Sequence, residues 1–285
     1  MTERQPAGQG NLENRERPLV GKVALITGSS RDIGAEIAKA LAIEGVNIVG
    51  NYRNKNRRAD EVQETIRSFG VTSEFVQADI TNKDDRKKLI ETAENLFGGK
   101  LDILVLNASG PSRDINVTAA NSLVDMFLPI MPRGSTIVLM QSVPGHFEPQ
   151  LNELNVIPEF YRPIAKAKYE GEESLRSRLE EFKENGISFI VVCPPEVADT
   201  ANMKVFKYRY GALISNKQAK ISGMLGLPSA VTKEQVGKKV AELLKRKDLP
   251  MGYVEFFGLI SSQKHHRIVS AKSVSQNKCG IDIFF

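Results

Sequence analysis

Tryptophan is absent from the 285 residues, histidine occurs three times and cysteine only twice, at Cys193 and Cys279. Two cysteines cannot build a disulfide framework and suit a reducing compartment. The histidines, at 146, 265 and 266, form no metal-ligand spacing with those cysteines, so no metal site is expected. No run approaches the roughly 18 apolar residues that a membrane span needs. The first twenty residues, MTERQPAGQGNLENRERPLV, lack the apolar core of a secretory signal. A cytoplasmic location with no membrane contact is therefore expected. Charge is nearly balanced, with 39 basic against 34 acidic residues and a net +5. So small an excess argues against a nucleic-acid surface and suits a phosphorylated ligand. With 41% hydrophobic and 26% charged residues the composition is that of an ordinary globular protein.

Residues 1–19 are polar and without period and read as a loose arm. From Lys22 short apolar runs, rich in β-branched residues, alternate with stretches of helical spacing. The strands expected are KVALITG (22–28), VNIVGNY (46–52), SEFVQADI (73–80), LDILVLN (101–107), STIVLMQ (135–141), ISFIVVC (187–193) and MGYVEFF (251–257). Between them Ile33, Ile37 and Leu41 mark one helix, Val62 and Ile66 a second, and Leu89, Ala93 and Leu96 a third. Further helices are expected from about 116 to 131, 163 to 184 and 233 to 245. Seven strands alternating with helices predict an α/β fold: one Rossmann-like, doubly wound parallel sheet with helices on both faces. A single domain over 20–258 with a tail, 259–285, is the economical organisation.

The strongest motif is TGSSRDIG, Thr27 to Gly34, between the first strand and its helix. A dinucleotide pyrophosphate needs a tight glycine turn and free N–H groups at a helix N-terminus. Gly28 and Gly34 supply the glycines, and Ser29, Ser30 and Arg31 offer donors. The alternative is a purely structural βα turn.

With ADI at 78–80, LNAS at 106–109, IVLMQS at 137–142 and CPPEVADT at 193–200, the chain resembles the short-chain dehydrogenase/reductase family from about residue 20 to 258. The resemblance implies an NAD(P)-dependent oxidoreductase. Asp32 stands where the family's TGxxxGxG pattern has its middle glycine; Asp tolerates the left-handed conformation, but its carboxylate opposes a pyrophosphate unless Arg31 or a helix N–H neutralises it. Members that use NAD usually place an acid after the second strand. Here Tyr52-Arg53-Asn54 is followed by Lys55, Arg57 and Arg58, so Arg53 with Arg31 is expected to bracket a 2′-phosphate and the cofactor to be NADP (as NADPH). The alternative is a set of solvated surface cations. By the same resemblance Asp79 and Ile80 flank the adenine, Asn107, Ala108 and Ser109 lie under the ribose, and Ile33, Pro194 and Val197 complete the cofactor contacts.

Catalysis in the family uses an Asn, a Ser, a Tyr and a Lys. Ser142 and Asn116 match the first two, as substrate hydrogen-bond donor and holder of a relay water, although either residue also suits a cap or turn. Lys168 matches the lysine that holds the ribose. Four residues before it, where the family's tyrosine belongs, stands Ile164. Tyr161 gives a Tyr-x6-Lys spacing (YRPIAKAK) similar to that of the enoyl-thioester reductases. Residues seven apart lie on nearly one helical face. Pro163 is expected to start the helix and to hold Arg162 extended, leaving Tyr161 on the entering loop. Lys166 and Tyr169 are weaker rivals that point elsewhere, and a Tyr161 that merely packs would mean lost reductase chemistry.

Compared with the family the stretch from Asn107 to Asn116 is short and that from Ser142 to Lys168 is long. His146, Phe147 and Phe160 in the long stretch are candidate pocket residues. Lys204, Lys207, Arg209 and Lys217 after CPPEVADT suit an anionic or phosphopantetheine-bearing substrate, or form a solvated face. The expected function is NADPH-dependent reduction of a carbonyl, a ketone or a β-ketoacyl substrate. Enoyl-thioester reduction and an inactive NADP-binding sensor are the alternatives. The resemblance implies a homodimer or homotetramer, and the apolar end of the tail suits docking on a neighbour.

Overall fold

The computed structural model describes residues 19–54 and 57–258. The expected arm up to residue 18, the tail after 258, and with it Cys279, His265 and His266, lie outside the described residues. Leu19, placed in the arm by the sequence, is buried in the core.

Seven strands form the main sheet: β1 (Val23–Ile26), β2 (Asn47–Tyr52), β3 (Ser73–Gln77), β4 (Ile103–Leu106), β5 (Thr136–Met140), β6 (Ser188–Cys193) and β9 (Tyr253–Phe256). Their order is β3-β2-β1-β4-β5-β6-β9, and every pairing is parallel. A two-stranded pair, β7 (Glu196–Val197) with β8 (Ala230–Val231), lies beside it. Along each central strand alternate residues serve opposite faces. Leu25, Leu104, Leu106, Ile137 and Leu139 join one core. Ala24, Ile26, Ile103, Val105, Val138 and Met140 join the other. Both faces are thus covered, which is why these strands read as unbroken apolar runs.

Helices α1 (Asp32–Ile43), α2 (Arg57–Arg67) and α10 (Lys233–Leu244) supply residues to the second core. Helices α3 (Lys83–Phe97), α4 (Ala120–Phe127) and α7 (Arg162–Arg176) supply the first. Among the described residues no helix is long and apolar enough to cross a membrane.

Two expected helices come out broken, and two further stretches prove helical. The segment from about 116 begins as a π-helical turn, Asp114–Ala119, continues as α4 and ends in a 3-10 turn, Leu128–Ile130, where Pro129 removes a backbone donor. The long helix from 163 divides into α7 and α8 (Leu179–Glu184). Arg162, expected to be extended before Pro163, is α-helical at φ −52° and ψ −47°, because the 3-10 turn Glu159–Tyr161 runs directly into α7. The stretch after Ser142 folds into α5 (Val143–His146) and α6 (Glu148–Glu153), and the segment after Thr200 into α9 (Ala201–Leu225), kinked at Gly211.

Strand order reverses between the parallel neighbours β1 and β4, whose following connections lead to β2 on one side and β5 on the other. A crevice opens beyond their carboxyl ends, where ligands of such sheets bind.

Candidate active site

The loop from β1 to α1 is tied down from two neighbouring strands, β2 and β4. Thr27 Oγ1 donates to Val105 O and accepts from the N–H groups of Asn107 and Ala108, both at 3.0 Å. Asn107 Nδ2 donates to Thr27 O at 2.8 Å, and Asn51 Oδ1 accepts from Gly28 N–H at 3.3 Å. Gly28 takes φ 67°. A Cβ at Gly34 would strike Gly28 O and lie 2.6 Å from Asn107 Nδ2, so only glycine lets α1 start this close to the loop. Ser29, expected among the phosphate donors, is instead a fully buried tether. Its N–H donates to Asn51 O, and its Oγ accepts from Asn51 N–H at 2.9 Å. Asp32 is left-handed, at φ 51°. Its Oδ1 accepts from Ala201 N–H, at the first turn of α9, at 3.0 Å, and Arg31 Nε lies 3.8 Å from Oδ2.

The crevice is a cleft of about 790 Å³. Of the residues expected at the cofactor, Gly28, Ser30, Arg31, Ile33, Gly34, Arg53, Asn107, Ala108, Ser109, Lys168, Pro194 and Val197 line it. Asp79 and Ile80 do not: the Asp79 carboxylate accepts from Thr81 N–H and Oγ1, and Ile80 is packed in the core. The hydrogen bonds from Thr81 hold the Asp79 carboxyl below its usual pKa.

At the other end of the cleft Tyr161 Oη donates to Ser142 Oγ at 3.1 Å, and Ile164 lies beside them in the wall. Ser142 caps α5, its Oγ accepting from Gly145 N–H at 3.1 Å. Burial raises the Tyr161 pKa against the lowering effect of the Ser142 contact. Lys168 Nζ donates to Met140 O at 2.9 Å. Burial brings its pKa down to about 8, opposed by the nearby Glu172 charge.

Asn116 sits in the π-helical turn, a distortion frequent at functional sites. Its side chain is consumed by the shortened loop: Oδ1 accepts from Ser109 Oγ, and Nδ2 donates to Gly110 O and Ser112 O. A cavity of about 20 Å³, enough for one water molecule, is lined by both Asn116 and Lys168. Gly171 lets α7 approach this turn, since a Cβ there would strike Asn116 O.

Behind Lys168 lies a polar cluster that sequence reading missed. Glu172, 2% exposed, accepts from Arg176 Nε at 2.7 Å and from Gln141 Nε2 at 3.0 Å, with His146 Nδ1 at 2.8 Å. Gln141 also donates to Lys168 O and accepts from Ser142 N–H. The only sequence signal was Glu172 and Arg176 spaced i, i+4 on a helix. His146 and Phe147, expected at the pocket, instead pack against Phe256. Phe160 does line the cleft, joined by Met203, Phe206 and Ile214 of α9.

A glycine-bearing loop at a sheet's switch point, with a tyrosine, a serine and a lysine at the far end of the cleft, defines a doubly wound α/β protein with a ligand cleft at the carboxyl ends of its strands. The model of the short chain dehydrogenase family matches residues 22–209, and the chain belongs to that family. Tropinone reductase-like 3 of Erythroxylum coca is 34% identical over 149 residues, 47% of this chain and 57% of that relative. The chain thus spans little more than half of that protein's length. The angucycline C-6 ketoreductase LanV with bound NADP superposes with a TM-score of 0.68 at 23% identity, covering 84% of this chain and 95% of that one. A hydroxysteroid dehydrogenase from Escherichia coli gives 0.70 at 21%, covering 85% and 98%. At such identities the likeness is one of fold.

Proposed function

We propose that the protein is an NADPH-dependent ketoreductase, in which Tyr161, Ser142, Lys168 and Asn116 are the working residues. The observation that carries this reading is the Tyr161 hydroxyl donating to Ser142 Oγ at 3.1 Å. The Tyr-x6-Lys spacing therefore still brings a proton donor to the serine, although Ile164 holds the family's usual tyrosine position.

The residues fit the cofactor. The loop is bare of side chains at Gly28 and Gly34, and Arg31, Arg53 and Arg58 line the end of the cleft beside β2. These are the cations to hold a 2′-phosphate, with Ser30, Ile33 and the loop backbone along the pyrophosphate and Lys168 at the ribose. Bound there, a reduced nicotinamide supplies a hydride, with its electron pair, to the carbonyl carbon. Ser142 and Tyr161 both face the carbonyl oxygen, and Tyr161 gives it a proton as C=O becomes CH–OH. The positive charge of Lys168 favours the phenolate left behind. A solvent proton, passed by a water between Lys168 and Asn116, restores the phenol. By family resemblance we read the assembly as a homodimer or homotetramer, which sedimentation tests.

NADPH oxidation by the purified protein with ketones, β-ketoacyl thioesters and enoyl thioesters tests the reading. Turnover is expected with the carbonyl set. Turnover with enoyl thioesters alone makes the protein an enoyl reductase, and none with any of them refutes the activity.

A further inference from the structure

Resting on that reading, we infer that the substrate is a neutral ketone carrying a flat, fused or aryl ring system, and not an acyl thioester on a phosphopantetheine arm.

The two ends of the cleft differ in chemistry. Among the described residues the lining cations are Arg31, Arg53 and Arg58 at the phosphate end, and Lys168 at the catalytic centre. Beyond Tyr161 and Ser142 the wall is mainly apolar, with Pro158, Phe160, Ile164, Met203, Phe206 and Ile214, and its polar members there, Asn202 and Gln218, are uncharged. The cations of the α9 segment do not line it. Lys207 is paired with Glu196 at 2.6 Å, which neutralises one of the two acids, Asp32 and Glu196, that line the cleft. Lys217 donates to the carbonyls of Asn155 and Ile157 at 3.2 and 3.3 Å, holding α9 to the turn that leads into Tyr161. Lys204 and Arg209 are exposed and outside the lining. The phosphate of a carrier arm therefore meets no lysine or arginine at this wall.

Two of these lining residues, Phe160 and Phe206, are aromatic. Phe160, the residue before the proton donor, stacks on Tyr210 with centroids 4.1 Å apart and planes 4° from parallel. Phe206 meets Phe160 at 5.1 Å and 44°. Phe160 and Phe206 thus line the cleft as an aromatic pair, and Tyr210, outside the lining, backs Phe160. The stack holds Phe160 in place, so a planar ligand finds a formed surface and need not order one. Phe206 and Tyr210 lie one helical turn apart and both precede the kink at Gly211, so one segment of α9 presents both rings to Phe160.

The test uses the full chain with NADPH and three probes: 1-tetralone, acetoacetyl-coenzyme A and the small diketone 2,3-butanedione. The expected kcat/KM for tetralone exceeds that for the thioester at least tenfold. Phe206→Ala is expected to lower the ratio of tetralone to diketone kcat/KM at least tenfold, mainly through KM, with an unchanged circular dichroism spectrum. Tyr208→Ala, at a side chain 92% exposed, serves as control and leaves the ratio as it is. A thioester preferred over tetralone, or a ratio untouched by Phe206→Ala, overturns the inference while leaving the reductase reading intact. If no carbonyl is reduced, the reductase reading falls and calorimetry decides the compartment. Tetralone binding weakened tenfold by Phe206→Ala upholds it, and no binding overturns it.

Discussion

Glu172→Gln tests whether the buried cluster behind Lys168 is held by charge or by shape. The substitution keeps the volume and removes only the negative charge. In the native protein burial alone would raise the Glu172 pKa, but His146 and Arg176 overcome that and bring it to about 2. The depression from 4.5 is about 2.5 units, or about 3 kcal/mol at about 1.36 kcal/mol per unit. Because the folded pKa lies below the unfolded one, this stability is fully present above about pH 5 and is lost as pH falls through about 2. In the variant Arg176, its side chain only 13% exposed, keeps its charge without its partner, a loss of about 3–5 kcal/mol. Urea unfolding at pH 7 is thus expected to show Glu172→Gln less stable by about 3–5 kcal/mol, with the gap to the native protein closing as pH falls toward 2. A second readout comes from Lys168, whose pKa of about 8 is supported by the Glu172 charge. The value of kcat/KM is expected to fall as pH rises through about 8 and Lys168 deprotonates, and in the variant that midpoint moves lower. A cost under about 1 kcal/mol at pH 7, or a gap that stays constant with pH, refutes the electrostatic account.

Tyr161→Phe keeps the ring and its packing, so melting and NADPH affinity change little, while turnover is expected to fall about 100-fold or more; full activity in stopped-flow assays would reject the proton-donor role. In dinucleotide titrations NADPH is expected to bind at least about tenfold tighter than NADH, about 1.4 kcal/mol, and Arg53→Ala to shrink that gap; equal native affinities sink the 2′-phosphate assignment. Asp32→Gly removes a carboxylate from the phosphate loop together with a left-handed non-glycine residue, and calorimetry is expected to show several-fold tighter NADPH binding. A variant that binds no tighter means that the Ala201 tether outweighs the repulsion.

The strands, their order of appearance and the glycine turn between β1 and α1 could be read along the chain because they rest on local rules. Strands buried on both faces must be apolar at every position, as VALI and ILVL are. A turn that approaches a helix start must be glycine, as at Gly34. The choice of Tyr161 over Ile164 rested on the family's Tyr-x6-Lys spacing, and the Tyr161 hydroxyl lies 3.1 Å from Ser142 Oγ. Other features were settled only by tertiary structure. Ser29 has the residue type of a phosphate donor, but β2 lies beside the loop and Asn51 takes its hydrogen bonds. Asp79 carries a carboxylate in the expected place, yet Thr81 turns it away. The lysines of α9 count as positive charge in the sequence, but the fold pairs Lys207 with Glu196 and seats Lys217 on two carbonyls. Asp32 meets Ala201 across 169 residues, and Glu172 meets His146 and Gln141 from three separate segments. Helical and strand periods report which face of an element is apolar, because burial acts on each residue by itself. A polar side chain takes its role from its partner, and that partner is chosen by strand order and helix packing, which no local window of sequence contains.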